Sequence, residues 1–188
     1  MPNTNSRDHG FTLIELMVTV AVALILIAAA VPGFMGTVKN NRLTTETNRL
    51  VSDFQLARGE AMRRGARTVL CPSADPTAAA PQCDGTAQVW STGWLLFVDA
   101  NSDGTFNGGE TLLRATQTSG GDVSIISNAA AATSIEFNAD ATTNANGNTL
   151  RIAICDNRGS AVGKQVEIPP VGRPRLAPSV GSCTAPAA

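Results

Sequence analysis

The sequence predicts an α+β fold in which one long N-terminal helix packs against an antiparallel β-rich head. Three observations indicate this fold. Residues 11–35 form an apolar run that holds one charged residue, Glu15. Residues 36–64 continue with apolar side chains at helical spacing. From Arg67 onward the pattern changes to short β-type runs that are separated by Gly, Asn, Asp and Pro.

The apolar run is long enough to cross a membrane as a slightly tilted helix. A charged side chain at that depth costs at least ~2.5 kcal/mol on insertion scales, which favours a functional role for Glu15. Charges lie on both sides of the run, with Arg7 and Asp8 before it and Lys39 and Arg42 after it. This distribution does not settle the orientation of the segment.

The residues from Gly10 to Glu15, GFTLIE, resemble the class III signal of type IV prepilins and pseudopilins. The resemblance implies that prepilin peptidase cleaves between Gly10 and Phe11 and that Phe11 becomes N-methylated. It also implies that Glu15 pairs with the N-terminal amine of a neighbouring subunit during assembly. Physical chemistry agrees, because an amine and a carboxylate in apolar surroundings are tolerated only as a pair. Pro32 matches the helix-kinking proline of these stems, since it has no backbone N–H to donate.

This resemblance implies a pilin-like fold and a single-pass protein of the bacterial inner membrane. Its head would face the periplasm and become extracellular once the protein is assembled in a pilus. The expected segments are a leader (1–10), a transmembrane half of the helix (11–35), an amphipathic half (36–65) and a head with a C-terminal tail (66–188). Other pilins or pseudopilins, prepilin peptidase and the inner membrane are the implied partners.

Two other interpretations of the N-terminus compete with this one. In the first, Arg7 and His9 belong to an ordinary secretory signal peptide that is cleaved after the small residues Ala28–Ala30. The length of the apolar run and the presence of Glu15 argue against it. In the second, the segment is a plain membrane anchor with an incidental Glu.

The amphipathic half of the helix carries six residues that step by three and four, which places them on one face. They are Leu43, Thr47, Leu50, Phe54, Ala57 and Ala61. We expect this face to pack on the sheet, and we expect Gly65 to end the helix. The predicted strands are 67–71, 94–98, 111–115, 123–126, 134–137, 149–154, 165–168 and 173–176, with loops around 72–81 and 138–148.

Composition limits the possible functions. The net charge of the 188-residue chain is −1, so a polyanion would have to contact a local basic patch. The single histidine, His9, falls in the predicted leader, and the chain has no Tyr. The mature protein would therefore lack the commonest general base and metal ligand. We expect no enzymatic activity and no cofactor.

The four cysteines predict two disulfides in a head that faces an oxidising compartment. Three connectivities are possible, and the sequence alone does not choose among them. We expect sequential pairing, in which Cys71–Cys83 closes a hairpin and Cys155–Cys183 holds the tail. The alternative is a zinc site, which the absence of a CxxC spacing and of a histidine in the mature chain disfavours.

The segment from Asp99 to Glu110 fits the calcium-loop pattern D-x-N-x-D-G-x₅-E. However, the flanking sequences WLLFV and TLLRAT read as strands rather than as the helices of an EF-hand. The loop is therefore interpreted as a hairpin connection rich in turn-forming residues, and no metal site is predicted.

Trp90 and Trp94 lie on either side of a Ser-Thr-Gly turn, where they could stack on nucleic-acid bases. A tryptophan that enters an apolar strand is more often part of the core, and we expect both to be core residues. The pattern GW-LLFVDANSDG-E-LLR resembles the GspH/FimT family of minor pilins and pseudopilins.

The C-terminal part of the chain contains the candidate DNA-binding residues. Between Arg151 and Ala188 there are five basic and two acidic residues, and the motif Gly172-Arg173-Pro174-Arg175 lies among them. Two arginines at i and i+2 of an extended chain point to the same side, where two guanidiniums suit successive phosphates. Gly172 would allow the backbone to approach the ligand, and Lys164 and Arg158 would assist. No aromatic residue lies in this segment, which favours double-stranded DNA held by its phosphates over stacked single strands.

GRPR is similar to the GRxR motif of FimT-type minor pilins, which bind DNA during natural transformation. The resemblance implies a minor type IV pilin that takes up extracellular DNA through these arginines. The alternative is a structural minor pseudopilin of a type II secretion system, similar to GspH, whose head contacts other pseudopilins. Either class is non-enzymatic.

Overall fold

The computed structural model describes residues 11–85, 89–128, 131, 133–178, 180 and 183, with the backbone alone at positions 31, 32 and 89. Within these residues the structure has one helix and eight strands, with a 3-10 turn at Val89–Ser91. The helix α1 spans Leu13–Arg64. The strands are β1 (Thr68–Pro72), β2 (Gly93–Val98), β3 (Thr111–Gln117), β4 (Ser124–Ser127), β5 (Ile135–Phe137), β6 (Leu150–Cys155), β7 (Lys164–Ile168) and β8 (Arg175–Leu176).

The chain forms two compact units, one up to Lys39 and one from Asn40 onward. In the first unit, α1 is long enough and apolar enough to cross a membrane, as judged by its length and composition. Its large apolar side chains, from Leu13 to Ile27, are exposed in the isolated chain. This unit has the properties expected of a membrane anchor.

The strands of the second unit form two antiparallel sheets. Sheet 1 has the order β3-β2-β1-β5, and sheet 2 has the order β4-β6-β7-β8. All eight predicted strands are present, and the α+β class is confirmed. The boundaries shift by one or two residues, most clearly at β8, which begins at Arg175 rather than at 173. Pro174 has no N–H to donate to the ladder, which is consistent with the later start.

The amphipathic half of α1 supplies one side of the main core. All six residues of the predicted stripe are buried. The five apolar ones, all but Thr47, pack in a cluster that includes Leu70 and Leu96 of sheet 1 and Ile152 and Val166 of sheet 2. The helix ends as predicted at Gly65, which has φ +61°, and the Ala66 N–H donates to the carbonyl of Ala61 at 3.3 Å.

The opposite face of sheet 1 is covered by loops. Val69, Cys71, Leu95 and Phe97 form a second buried cluster, against which Cys83 and Phe106 pack. The disulfide Cys71–Cys83 holds the loop after β1 over this face, with a Cα–Cα distance of 5.4 Å. A second disulfide, Cys155–Cys183, ties the tail to the end of β6. The structure therefore contains the sequential pairing.

Candidate nucleic-acid interface and assembly residues

Three of the candidate DNA-binding residues, Gly172, Arg173 and Arg175, belong to the hairpin that joins β7 and β8 at one edge of sheet 2. Glu167 is paired with Arg175 and Val166 with Leu176 in this hairpin. The turn before β8 is closed by the Gly172 N–H, which donates to the carbonyl of Pro169 at 2.8 Å. Three residues after Gly172, at Arg175, the chain enters the edge strand β8.

Gly172 has a structural role inside the head, which differs from the expected one. The residue is buried and has φ +69°, a backbone conformation that glycine adopts most easily. A Cβ at this position would lie 1.9 Å from the carbonyl oxygen of Ala141. The glycine therefore allows the turn to pack against the 138–143 loop, rather than allowing a ligand to approach the backbone.

Arg173 and Arg175 are both exposed, but they have different surroundings. Arg173 lies between the turn and β8, so Arg175 alone belongs to a strand. The prediction that both side chains point to the same side requires both residues to be in one strand, and it does not hold for this pair. Within the part of the chain that the structure describes, Arg173 has no hydrogen bond or ion pair. Arg175 donates from Nε and an Nη to one oxygen of Glu167, at 3.2 and 3.1 Å, and 65% of its side chain stays exposed.

Glu167 also contacts a basic residue that was not among the predicted site residues. Arg151 on β6 lies directly opposite Glu167 on β7, and its Nε is 3.4 Å from the second carboxylate oxygen. The Gln165 side chain donates to the same oxygen at 3.3 Å. Arg151, Glu167 and Arg175 therefore form a row across three neighbouring strands, which we call the arginine row.

Lys164 and Arg158 lie away from this row. Lys164 is the first residue of β7 and shares a face of the strand with Val166 and Ile168, whose side chains are in the core. It therefore falls on the opposite face from Glu167. Arg158 is in the turn between β6 and β7, where it donates to both oxygens of Asp156 at 2.6–3.1 Å. These hydrogen bonds raise the pKa of Arg158, and Asp156 offsets its charge. The structure thus separates these two residues from Arg173 and Arg175.

The N-terminal residues form a helix cap. The Glu15 N–H donates to Thr12 Oγ1 at 3.3 Å, and the Thr12 N–H donates to the Glu15 carboxylate at 3.5 Å. This is the reciprocal arrangement of a capping box, which the T-x-x-E spacing could have revealed in the sequence. Phe11 is exposed, and Gly10 lies outside the described residues. Pro32 lies within α1, which continues through that position.

The calcium-like loop is held by protein donors. Asp99 accepts hydrogen bonds from the backbone N–H groups of Ser102 and Gly104 and from the guanidinium of Arg67. Glu110 accepts from the N–H groups of Ala100 and Asn107. The Thr105 N–H donates a hydrogen bond to Asp103 at 2.8 Å, and this bond contributes most to lowering the pKa of the Asp103 carboxyl. In the described ranges, no group of three or more metal-ligating side chains is positioned to hold an ion.

Trp90 and Trp94 are both fully buried, which confirms that they are core residues. Their ring centroids are 6.5 Å apart, and the indole N–H of Trp94 donates to Asp53 at 2.7 Å. Neither ring is available for stacking on nucleic-acid bases.

A long apolar N-terminal helix, an antiparallel head and a prokaryotic N-terminal methylation motif, matched over residues 5–31, together define a protein of the type IV pilin-like class. Within this class the chain belongs to the family described as type II transport protein GspH, whose model matches residues 46–172. Proteins with this fold and these domains are structural and non-enzymatic.

Solved structures support the fold. Two crystal structures of the type IV minor pilin FimU from Pseudomonas aeruginosa are similar to this chain, at 21% and 20% identity. The TM-scores are 0.57 and 0.54; the matches cover 78% and 76% of this chain and 96% and 98% of the FimU chains. At this identity the likeness concerns the fold alone. None of the curated proteins matches the sequence.

Proposed function

We propose that the protein is a minor type IV pilin whose head binds double-stranded DNA through Arg173 and Arg175 during natural transformation. The observation that carries this proposal is the position of the two arginines. Both are exposed next to one turn at the edge of sheet 2, and Arg173 makes no hydrogen bond or ion pair with any described residue. A guanidinium in this setting can donate to a phosphate without first breaking a protein contact.

Two further observations support a role that is particular to this chain. The region shared with the family model ends at residue 172, so both arginines lie beyond it. The buried tryptophans leave no stacking platform there, which favours contacts with phosphates of duplex DNA over contacts with bases. Binding by two arginines would be weak and salt-dependent, and several copies in a filament would strengthen it.

The anchor, in the same proposal, is processed like other prepilins. Prepilin peptidase cleaves after Gly10 at the inner membrane, and Phe11 becomes the methylated N-terminal residue. Glu15 then pairs with the N-terminal amine of a neighbouring pilin, with the head on the periplasmic side. N-terminal mass analysis of the mature protein tests this step, since methylated Phe11 is expected and an N-terminus at Val31 would contradict it.

The DNA proposal is tested with the full chain in a neutral detergent. Fluorescence anisotropy with a duplex measures affinity at about 50 mM and about 200 mM salt, between which two phosphate contacts weaken binding about tenfold. The double variant Arg173→Gln, Arg175→Gln is expected to lose most of the binding. The matched control is Arg63→Gln, Arg64→Gln, which removes the same charge from two arginines that pair with Glu60. Equal binding by the two double variants, or no binding by the wild type, would contradict the proposal.

The second candidate is a structural minor pseudopilin of a type II secretion system. The family match over residues 46–172 favours it. The ion pair between Arg175 and Glu167 also favours it, because it gives Arg175 a structural role in holding β8 on β7. In this case neither double variant would change DNA binding. The Arg173→Gln, Arg175→Gln variant would instead lower the stability of the tail, because it removes the ion pair with Glu167.

A further inference from the structure

The arginine row is a second basic feature next to the proposed DNA-binding turn. Residues directly opposite each other on neighbouring strands share a face, so Arg151, Glu167 and Arg175 all lie on one face of sheet 2. The alternate residues Ile152, Val166 and Ile168 point the other way, into the core. The row is therefore on the outer face, and its Arg175 lies two residues beyond Arg173 in the chain.

We propose that the phosphate-binding surface runs across the strands of sheet 2, from Arg173 through Arg175 to Arg151, and that Glu167 in its middle limits the affinity. This inference rests on the proposed DNA-binding function. It assigns Arg151 as a contact residue and Glu167 as the residue that sets the strength of the contact.

The dimensions of the row fit a DNA backbone. Neighbouring strands are ~4.8 Å apart, so Arg151 and Arg175 are separated by roughly 10 Å across β7. Duplex DNA carries one phosphate charge per ~1.7 Å of helix axis, so a stretch as long as the row holds several phosphates, and each guanidinium can face one of them. A guanidinium has five N–H donors, which allows Arg151 and Arg175 each to hold Glu167 and to donate to a phosphate at the same time.

The charges are arranged so that the arginines are further out than the carboxylate. The side chain of Glu167 is 15% exposed, whereas those of Arg151 and Arg175 are 35% and 65% exposed. A phosphate above the row would meet the guanidiniums first and would be repelled by the carboxylate beneath them. Removal of that negative charge is therefore expected to strengthen binding.

The other basic residues of the segment do not extend this surface. Arg158 is compensated by Asp156, and Lys164 is on the opposite face of β7. The predicted direction of the DNA is thus across the strands and not along β7 towards the turn that precedes Lys164.

Three single variants of the full chain in neutral detergent test the inference, with the same duplex and the same salt series. Arg151→Gln is expected to weaken binding about threefold to tenfold and to lower the salt slope by about 0.9, the loss of one phosphate contact. Arg158→Gln is the matched control, because it removes the same charge from the turn between β6 and β7, away from the arginine row, and it is expected to change affinity less than twofold. Glu167→Gln, which keeps the shape of the side chain, is expected to strengthen binding about threefold to tenfold.

The outcomes separate this inference from the proposed function. In one outcome, the wild type binds the duplex and the Arg173→Gln, Arg175→Gln variant does not, but Arg151→Gln and Arg158→Gln bind with the same affinity. The proposed role of the arginine row is then wrong, while the proposed function stands. If Glu167→Gln weakens binding, Glu167 acts only by holding Arg175 and does not limit affinity. If the wild type fails to bind, both the function and the inference are lost. Tryptophan fluorescence during urea unfolding shows whether each variant is folded, since both indoles are buried.

Discussion

At the scale of single residues, Asp53 shows how the head tolerates a buried charge. Its carboxylate is 2% exposed and lies between α1 and sheet 1. It accepts hydrogen bonds from the indole N–H of Trp94 at 2.7 Å, from the hydroxyl of Thr116 at 2.8 Å and from an Nη of Arg114 at 2.5 Å. A buried carboxylate is stable only when its lone pairs are satisfied in this way.

The replacement Asp53→Ala is therefore expected to lower the free energy of unfolding by about 1–3 kcal/mol, since it leaves the buried indole N–H of Trp94 without its acceptor, whereas the half-exposed Arg114 stays hydrated. Urea unfolding followed by tryptophan fluorescence measures the change. Asp122→Ala serves as the control because Asp122 is an exposed carboxylate of the same head, and it is expected to have little effect. An equal loss in both variants would show that the hydrogen bonds to Asp53 contribute nothing specific.

Gly172→Ala is expected to destabilise the head although the change adds a single methyl group. A left-handed backbone conformation costs a non-glycine residue roughly 1–2 kcal/mol, and the new Cβ would also collide with the carbonyl oxygen of Ala141. Gly108→Ala is the matched control, since a Cβ there meets no atom within 4 Å. Thermal unfolding of the two variants decides the point, and equal melting temperatures would contradict the packing role.

At the scale of elements, the sequence could predict those features that depend on local periodicity. The stripe from Leu43 to Ala61 was recognisable because a helix repeats every 3.6 residues and one face must be buried. The strands were recognisable from apolar runs between turn-forming residues. The division into two sheets was not, because strand pairing joins segments that are far apart in sequence, as when β1 pairs with β5.

The same limit applies to the candidate site. The sequence identified Arg173 and Arg175 from a four-residue motif. It could not show that Glu167 contacts Arg175 or that Arg151 faces them from β6, since these contacts depend on register. It also assigned Gly172 to ligand approach, because a positive φ and the neighbouring Ala141 carbonyl are visible only in three dimensions.

The C-terminal end of α1 is expected to lose stability in acid. Hydrogen bonds from Arg63 and then Arg64 lower the pKa of Glu60 from 4.5 to about 2. Because this pKa is lower in the folded state, the contribution is fully present above pH 4.5 and is lost as the pH falls from 4.5 towards 2. Melting temperatures measured between pH 6 and about pH 2 should therefore fall less steeply for Glu60→Gln than for the wild type. Parallel curves would show that the pair of arginines does not act on Glu60 in this way.

At the scale of the whole molecule, the two units of the chain divide the tasks. The first unit carries the apolar segment of α1 and the capped carboxylate of Glu15, which in the proposed function direct membrane insertion and assembly. The second unit carries the two sheets, both disulfides and the arginines. If the tasks are divided in this way, assembly and DNA binding should be separable by mutation.

Glu15→Gln is expected to remain in the membrane fraction, because the change removes a charge that opposes insertion. It is also expected to be missing from sheared pili, because a neutral side chain cannot pair with the amine of the neighbouring subunit. Immunoblots of the two fractions measure both properties. The double variant Arg173→Gln, Arg175→Gln should behave in the opposite way, entering pili normally while the purified protein no longer binds duplex DNA. A Glu15→Gln protein that enters pili at the wild-type level would show that the carboxylate is not the assembly contact, whatever the arginines bind.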